Sequence, residues 1–302
     1  MIGSKDLEYV RATSVRHIAD LLTSHGPRPQ ILAGGTDLLV DLRNGRRTPV
    51  PERLIDIKAV PDLQQIDIDE HSGTATIGAA VSLNRIVEHP WIRRHARGLA
   101  VAAASVGTYQ IRNRATLIGN LCNASPAADA APVLLALDAS VRVVERSGAR
   151  SIPLRDFFLG VRKTALTENA FATAVTIHVP SGARTAFLKQ QRVRGHDLAI
   201  VNAGGAVFRG SNKIVLAIGS CAPKPVLLEP ISTDNTDPKE LVRHFCRASD
   251  RILCPIDDVR ASAAYRRSIL PVLIERLVVQ LLADGNDRPR REVNHVQDHA
   301  DR

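Results

Sequence analysis

Two glycine-bearing segments constrain this chain more than any other feature of its sequence. In the first, residues 31–39 read ILAGGTDLL, and the apolar run at 30–33 predicts a short buried strand. Gly34 and Gly35 allow a positive φ and a close approach to a ligand, because neither carries a Cβ. Successive backbone N–H groups in such a turn form a concave anion site, to which Thr36 adds a hydroxyl. A plain strand-to-loop turn is the alternative explanation of the glycine pair.

The second segment, residues 110–120, reads QIRNRATLIGN and is followed by Ser125, Pro126 and Asp129. Like the first, it combines small residues with hydroxyl, amide and carboxylate groups, which can hold a phosphate-bearing cofactor against a backbone. Neither segment has the GxGxxG pattern, and GxxxxGK[ST] occurs nowhere in the chain. The segments therefore predict a phosphate-bearing cofactor, held by neither the Rossmann fingerprint nor a P-loop.

Further motifs extend this pattern along the chain. In order they are AGGTDLL at 33–39, QIRNRATLIGN at 110–120, ASPAADAAP at 124–132, FFLGVRKT at 157–164, KQQRVRGHDLAIVN at 189–202 and DDVRASAAYRR at 257–267. With these motifs in this order and spacing, residues 5–285 resemble the FAD-binding medium subunit of the molybdenum hydroxylases. Members of that family are the flavoprotein subunits of carbon monoxide dehydrogenase, xanthine dehydrogenase and related heteroaromatic hydroxylases.

The resemblance implies an α+β fold, in which a two-lobed FAD-binding domain of the PCMH type precedes a smaller C-terminal domain. In that C-terminal domain an antiparallel sheet packs on helices. The expected units are lobe 1 at 1–58, lobe 2 at 59–180 and the C-terminal domain at 184–283. Residues 284–302 are rich in Asp, Arg and His and poor in apolar side chains, which predicts a disordered tail. In such a tail, His295 and His299 make a poor metal pair.

The resemblance also implies a role in electron transfer. A small subunit with iron–sulfur clusters would pass reducing equivalents to FAD on this chain, and from there to NAD⁺, oxygen or a quinone. A large molybdopterin-binding subunit would carry out the hydroxylation. The cofactor would perform the redox chemistry, so no side chain of this chain is predicted to act as an acid, base or nucleophile.

Residue by residue, the resemblance implies a cofactor site on both lobes. The segment from Ala33 to Leu38 would wrap the pyrophosphate from one lobe. Thr116, Gly119 and Asn120 would contact it from the other through backbone N–H groups and short polar side chains. The predicted cofactor-binding residues are Leu32, Ala33, Gly34, Gly35, Thr36, Asp37, Leu38, Gly107, Thr116, Gly119, Asn120, Ser125, Asp129 and Lys189.

Two of these residues have a simpler alternative role. Asp129 is expected near the adenosine end of FAD, where a carboxylate accepts hydrogen bonds from ribose hydroxyls. As the alternative, Asp129 caps a helix over 130–137. Lys189 is expected near the flavin ring, where a cation favours the anionic reduced form. As the alternative, Lys189 is a solvated strand residue.

The chain departs from the family pattern at two places. Ile118 precedes Gly119 where the family has two adjacent glycines. A β-branched residue tolerates positive φ poorly, so a site that needs positive φ at this position would have a displaced loop. His196 and Asp197 stand where the family has two acids. Ile118 thus favours a flavin-free structural subunit as one alternative function. A stand-alone flavin oxidoreductase is another, although the third domain here is shorter than the substrate-binding domain that would favour it.

Composition limits the other classes of function. Four cysteines, none in a CxxC pair, argue against a zinc or iron–sulfur site in this chain and fit buried thiols in a reducing cytoplasm. The net charge of +9 allows a nucleic-acid-binding module, but only 3% of residues are aromatic and the basic residues are scattered. No apolar run reaches the ~18 residues of a membrane span, so a cytoplasmic location with no membrane span is predicted.

Secondary structure follows from caps and periodicity. Ser14 is predicted to begin a helix that ends at Gly26, and Ser82 to begin another. A third helix is predicted to run from Trp91 through the alanine-rich stretch at 100–105. The remaining predicted strands lie at 54–57, 66–68, 74–80, 174–179, 185–192, 199–208 and 213–219, and the last two helices at 238–247 and 261–283.

Overall fold

A three-stranded parallel sheet in the order β1-β3-β2 organises the N-terminal part of the chain. The computed structural model describes residues 7–47, 49–193 and 195–283, so the predicted disordered tail with His295 and His299 lies outside the described residues. The elements of this part are β1 (Glu8–Arg11), α1 (Val15–Thr23), β2 (Pro29–Leu32), α2 (Leu38–Arg43) and β3 (Arg53–Asp56). The strand β1 was not predicted from the sequence.

Serine caps set the starts of two helices as predicted. The Ser14 side chain accepts a hydrogen bond from the N–H of His17 at 3.0 Å, which begins α1. Ser82 accepts from the N–H of Arg85 at 3.4 Å and begins a helix at Leu83. The predicted end of α1 at Gly26 is too late, because Ser24 already has an extended backbone and closes the helix after Thr23.

The middle of the chain forms a five-stranded antiparallel sheet in the order β4-β5-β10-β6-β7, with short helices between its strands. The hairpin of β6 and β7 was not predicted from the sequence. The elements are β4 (Ile66–Asp69), β5 (Thr74–Gly78), α3 (Leu83–Glu88), α4 (Pro90–His95), α5 (Arg97–Ala104), α6 (Tyr109–Arg112), α7 (Leu117–Asn123), α8 (Ala130–Ala136), β6 (Ser140–Glu145), β7 (Gly148–Pro153), α9 (Leu154–Phe157), β8 (Phe158–Gly160), β9 (Lys163–Thr164) and β10 (Phe171–His178).

The single helix predicted from Trp91 onward is wrong, because α4 and α5 are separate helices. Ala96 lies between them with φ −118° and ψ 46°, a backbone conformation outside the helical region. Beyond this break, the N–H of Gly98 donates to Thr185 Oγ1 at 2.8 Å. The change of direction thus brings α5 onto the following sheet, a tertiary contact with no local signal in the sequence.

The C-terminal part is a second antiparallel sheet in the order β11-β12-β13-β14, with β15 also paired to β13. The helices α5 and α8 pack against this sheet, as does the longer of the two C-terminal helices, which contacts β11 and β12 and against which the shorter one packs. The elements are β11 (Arg184–Gln190), β12 (Val201–Phe208), β13 (Lys213–Gly219), β14 (Val226–Leu227), β15 (Ile231–Ser232), α10 (Pro238–Ile252) and α11 (Ala263–Leu282).

Two hydrophobic cores hold these layers together. One is shared by the parallel sheet and the middle sheet, so that Ile18 and Ile55 belong to the same cluster as Ile77. The other lies between the C-terminal sheet and its two helices. The predicted α+β class is confirmed, whereas the domain boundaries at 58, 180 and 184 stay predictions. Among the described residues, no helix is both long and apolar enough to span a membrane.

Candidate functional site

The two glycine-bearing segments touch each other through their backbones. A Cβ built at Gly34 would lie 2.2 Å from the Arg114 carbonyl oxygen and 2.8 Å from Ala115 Cα. Gly35 has φ +76°, a conformation that L side chains rarely adopt. The prediction of positive φ therefore holds for Gly35. At Gly34 the backbone of the second segment comes within contact distance, and only glycine fits between the two.

The first segment continues directly into α2, and an ion pair ties that helix to the middle part of the chain. The Leu39 N–H donates to the Gly35 carbonyl at 3.0 Å, while Asp37 begins the helix without a side-chain capping bond. The buried carboxylate of Asp41 pairs with Arg162 at 2.7 Å, and Arg162 also donates to Asn123 Oδ1 at 3.2 Å. Arg162 thus fixes α2 relative to the end of α7.

The second segment is built around the N-terminus of α7. Thr116 is buried and caps the helix, with its Oγ1 accepting from the Gly119 N–H at 3.0 Å. The Asn120 N–H donates to the Thr116 carbonyl at 3.0 Å. Both N–H groups are therefore already engaged within the helix, and the cofactor contacts predicted for Gly119 and Asn120 stay predictions. The Asn120 side chain, in contrast, still has an unused acceptor. Its Oδ1 is buried without a hydrogen-bond partner among the described residues.

Ile118 does not require a displaced loop. It lies in the first turn of α7, it is not among the described residues with positive φ, and its side chain is 4% exposed within the shared core. A displaced loop was expected only if the site needed positive φ at position 118. The structure has no such need, because isoleucine fills a core position here. At the other departure, Asp197 pairs with Arg192 at 3.1 Å and His196 is exposed.

Asp129 and Lys189 form a buried ion pair, which makes both simpler alternatives wrong. The Lys189 Nζ lies 2.7 Å from Asp129 Oδ2 and donates to the Ser105 carbonyl at 3.1 Å. Asn202 donates to Asp129 Oδ1 at 2.9 Å. Asp129 makes no capping bond to α8, and Lys189 is not solvated. Burial raises the pKa of the Asp129 carboxyl, against the opposing effects of Lys189 and Asn202.

The remaining predicted residues lie around these elements. Gly107 has φ +53°, and its carbonyl accepts from Arg112 Nη1 at 3.2 Å. Ser125 is half-buried and its Oγ accepts from the Ala127 N–H at 3.2 Å, so it stabilises the turn before α8. Leu32 is buried at the end of β2, and Thr36 and Leu38 are half-buried. The structure thus brings the predicted residues into two groups, one at Gly34 and Thr116 and the other at Asp129.

Sequence reasoning missed a polar cluster beneath the first segment. Lys58 follows β3 and donates to the Ala33 carbonyl at 3.1 Å, while its Nζ lies 2.7 Å from Asp56 Oδ1. The buried Asp56 also accepts a short hydrogen bond from the Tyr9 hydroxyl. One signal could have found Asp56 and Lys58: they lie at and just beyond the carboxyl end of β3, at the edge of a parallel sheet where open α/β folds place their ligands.

Comparison with known protein families and structures agrees with this architecture. Residues 5–181 match the family described as "FAD binding domain in molybdopterin dehydrogenase", and residues 186–281 match "CO dehydrogenase flavoprotein C-terminal domain". The chain is 32% identical over 293 residues to 6-hydroxypseudooxynicotine dehydrogenase complex subunit alpha of Paenarthrobacter nicotinovorans, covering 94% of this chain and 97% of that one.

Two further similar proteins are an FAD subunit of a dehydrogenase and a carbon monoxide dehydrogenase of known structure. The nicotinate dehydrogenase FAD-subunit of Eubacterium barkeri is 35% identical over 208 residues, which cover 67% of this chain and 69% of that one. Among solved structures, carbon monoxide dehydrogenase from Hydrogenophaga pseudoflava superposes with a TM-score of 0.84 at 27% identity. That superposition covers 92% of this chain and 97% of the other.

Proposed function

Because this chain belongs to the family of FAD-binding subunits of molybdopterin dehydrogenases, we propose that it carries FAD between its two glycine-bearing segments and relays electrons through it. The family resemblance stated from the sequence is confirmed by both family matches. A chain of this family is a flavoprotein oxidoreductase subunit. When bound, FAD supplies redox chemistry that amino-acid side chains lack.

One observation carries the proposal: the two segments that resemble the family's cofactor loops meet at Gly34 and Arg114. A second observation tests whether FAD fits. The buried Asn120 Oδ1 is an acceptor in need of a donor, and a ribityl or ribose hydroxyl is such a donor, whereas a phosphate oxygen is not. The residues proposed to hold FAD are therefore Leu32–Leu38, Thr116 and Asn120, with Gly107, Gly119, Ser125, Asp129 and Lys189 proposed to shape the site around them.

We further propose the partners of this chain. A small subunit with iron–sulfur clusters would deliver electrons to FAD, and a large molybdopterin-binding subunit would oxidise the substrate. The names of the relatives support this assignment, since one is a subunit of a dehydrogenase complex and others are medium chains of carbon monoxide dehydrogenase. We place the complex in the cytoplasm, where the cysteines would remain thiols, as they are in the structure.

The flavin-free alternative has lost its main support. It depended on Ile118 displacing the second segment, and Ile118 instead occupies a core position in α7. The stand-alone oxidoreductase differs from our proposal in needing no partner subunits. Affinity purification of the tagged chain from its own host, followed by metal analysis, separates the two: molybdenum and iron should accompany the chain if our proposal is right.

The test of the cofactor is direct. The purified chain or its complex should release FAD on acid or heat treatment, because no residue here suggests a covalent link. The flavin is identified by its absorption spectrum and by chromatography against FAD and FMN. A colourless protein that also fails to take up added FAD would overturn the proposal.

A further inference from the structure

Arg162 lies in the FFLGVRKT motif, a segment to which the family resemblance assigned no residue role. Its backbone has φ +54°, which is uncommon for a residue that carries a Cβ. The Arg162 N–H donates to the carbonyl of Ala124 at 2.9 Å, and Ala124, which closes α7, itself has φ +46°. Such conformations persist only where the surrounding contacts impose them, and they are concentrated at ligand-binding and catalytic sites. The backbone of Arg162 thus directs attention to its side chain.

The Arg162 side chain bridges α2 and the end of α7. Its Nη1 lies 2.7 Å from Asp41 Oδ2 on α2 and 3.2 Å from Asn123 Oδ1 on α7. The Asp41 side chain is only 10% exposed, and within the described part of the chain no second cation pairs with it. The first glycine-bearing segment continues into α2, and the second continues into α7. Arg162 therefore connects the two helices that follow these segments.

Arg162 also compensates the negative charge at the start of α2. Asp37 precedes this helix and belongs to the first glycine-bearing segment. Desolvation raises the pKa of the Asp37 carboxyl, while the Arg162 charge opposes this rise and the Asp41 charge adds to it. Without Arg162, the Asp37 and Asp41 carboxylates would stand uncompensated beside the segment proposed to hold the diphosphate of FAD. Two negative groups in that place would repel an anionic ligand.

We infer that Arg162 is a positioning residue for the cofactor: it fixes α2 and neutralises the two carboxylates of its first turn, so that the first glycine-bearing segment accepts the FAD diphosphate. This inference rests on the proposed function, because the anion is that of FAD. Arg162 acts through Asp41 and Asp37, and it is not itself placed among the residues that hold the flavin nucleotide.

The test is calorimetric titration of the full chain, freed of flavin, with FAD at ~0.1 M and ~1 M salt. Methionine at position 162 keeps an unbranched aliphatic chain and removes the charge. Arg162→Met should weaken FAD binding by roughly tenfold at the lower salt, the value of one charge-assisted contact. The loss relative to the wild type should shrink at the higher salt, because the Debye length falls from about 10 Å to about 3 Å. A loss of packing alone would not respond to salt in this way.

The double variant Arg162→Met with Asp41→Asn should recover part of the affinity, because one of the two uncompensated carboxylates is gone. Arg155→Met is the matched control. Arg155 is 54% exposed and pairs with Asp138 at 2.8 Å, against 52% and 2.7 Å for Arg162, but Asp138 is 73% exposed and the pair lies outside both glycine-bearing segments. Arg155→Met should bind FAD as the wild type does, at both salt concentrations.

Wild-type FAD affinity of a folded Arg162→Met overturns the inference, as does a loss that neither salt nor Asp41→Asn reduces. If Arg162→Met does not fold, the double variant is compared with Asp41→Asn alone, since neither leaves Asp41 charged. A weaker affinity of the double variant at ~0.1 M salt that fades at ~1 M then supports the inference, because Asp37 remains uncompensated, and equal affinities overturn it. A wild-type chain that binds no FAD overturns the proposed function and this inference with it, whereas unaffected variants overturn the inference alone.

Discussion

The Lys189 Nζ lies 2.7 Å from Asp129 Oδ2, and the two side chains are 7% and 6% exposed. Lys189 belongs to β11 and Asp129 precedes α8, so this ion pair fastens the C-terminal sheet to a helix of the middle part. Asn202 and the Ser105 carbonyl satisfy the remaining bonds of the pair. Removing one member of such a pair leaves an uncompensated charge in a site with little access to water.

Lys189→Met should therefore destabilise the chain by about 3–5 kcal/mol, although methionine fills a similar volume. The measurement is denaturant unfolding of the apoprotein followed by circular dichroism. The double variant Lys189→Met with Asp129→Leu is the control, and it should recover part of the loss because no charge is left unpaired. An unchanged stability of Lys189→Met would contradict the burial of this ion pair.

The second prediction concerns acid stability and the Asp258 carboxylate. Burial alone would raise the pKa of Asp258, but hydrogen bonds from Arg260 and from the Ala261 backbone hold it well below its usual range. Asp258 also pairs with the buried Arg266 at 2.8 Å. Because the folded pKa is lowered, this carboxylate stabilises the fold above the unfolded pKa of about 3.9, and that stabilisation is lost as the pH falls below it.

Asp258→Asn should accordingly be less stable than the wild type at pH 7, by roughly 3 kcal/mol for loss of a largely buried pair. The difference should shrink as the pH is lowered from 5 to about 3, since the Asp258 carboxylate of the unfolded wild type takes up a proton there while the folded one, with its lowered pKa, stays ionised. Thermal unfolding of both proteins across this range measures it. A difference that stays constant with pH would show that the charge of Asp258 contributes nothing.

Gly35→Val tests the first glycine-bearing segment. Gly35 has φ +76°, and a Cβ there would lie 3.0 Å from Leu32 Cδ1 and 3.1 Å from Leu39 Cδ1. A branched side chain should shift this turn, with ~1–2 kcal/mol of backbone strain, and lower the affinity for FAD while circular dichroism stays native. Gly210→Val is the control, because that glycine has open space around it and no positive φ. Unchanged flavin content in Gly35→Val would mean that the segment is only a turn.

The sequence predicted those elements whose signal is local. Serine caps fixed the starts of α1 and α3, and the apolar runs of β12 and β13 were found within a few residues of their ends. The break at Ala96 was missed, since it depends on the contact between Gly98 and Thr185, 87 positions apart. The caps of Thr108 and Thr116 were also missed, although both hydroxyls stand three residues before the N–H groups they accept from.

In the candidate site, too, the features with a local sequence signal were predicted and those that depend on distant contacts were not. The motif residues could be found because they are contiguous, and the resemblance gave them roles. The partnership of Asp129 with Lys189 joins residues 60 positions apart, and no spacing rule predicts it. Tyr9, Asp56 and Lys58 meet only because β1 and β3 are parallel neighbours, a pairing that required the unpredicted strand β1. Strand order in a parallel sheet is set by packing over the whole unit and has no sequence motif.

Ile118→Gly is the variant for which structure and family pattern give opposite expectations. From the pattern alone, restoring the double glycine should tighten FAD binding. In the structure Ile118 fills a core position in the first turn of α7, so its removal should leave a cavity that costs about 2–5 kcal/mol, with about 1 kcal/mol more for glycine in a helix. Ile118→Val removes one carbon and should cost only about 0.5–1.5 kcal/mol.

We therefore expect Ile118→Gly to unfold at lower denaturant than Ile118→Val, and to bind FAD no more tightly than the wild type in a flavin titration. Tighter binding at unchanged stability would instead mean that α7 begins after Ile118 when FAD is bound, and that the displaced loop was the correct explanation.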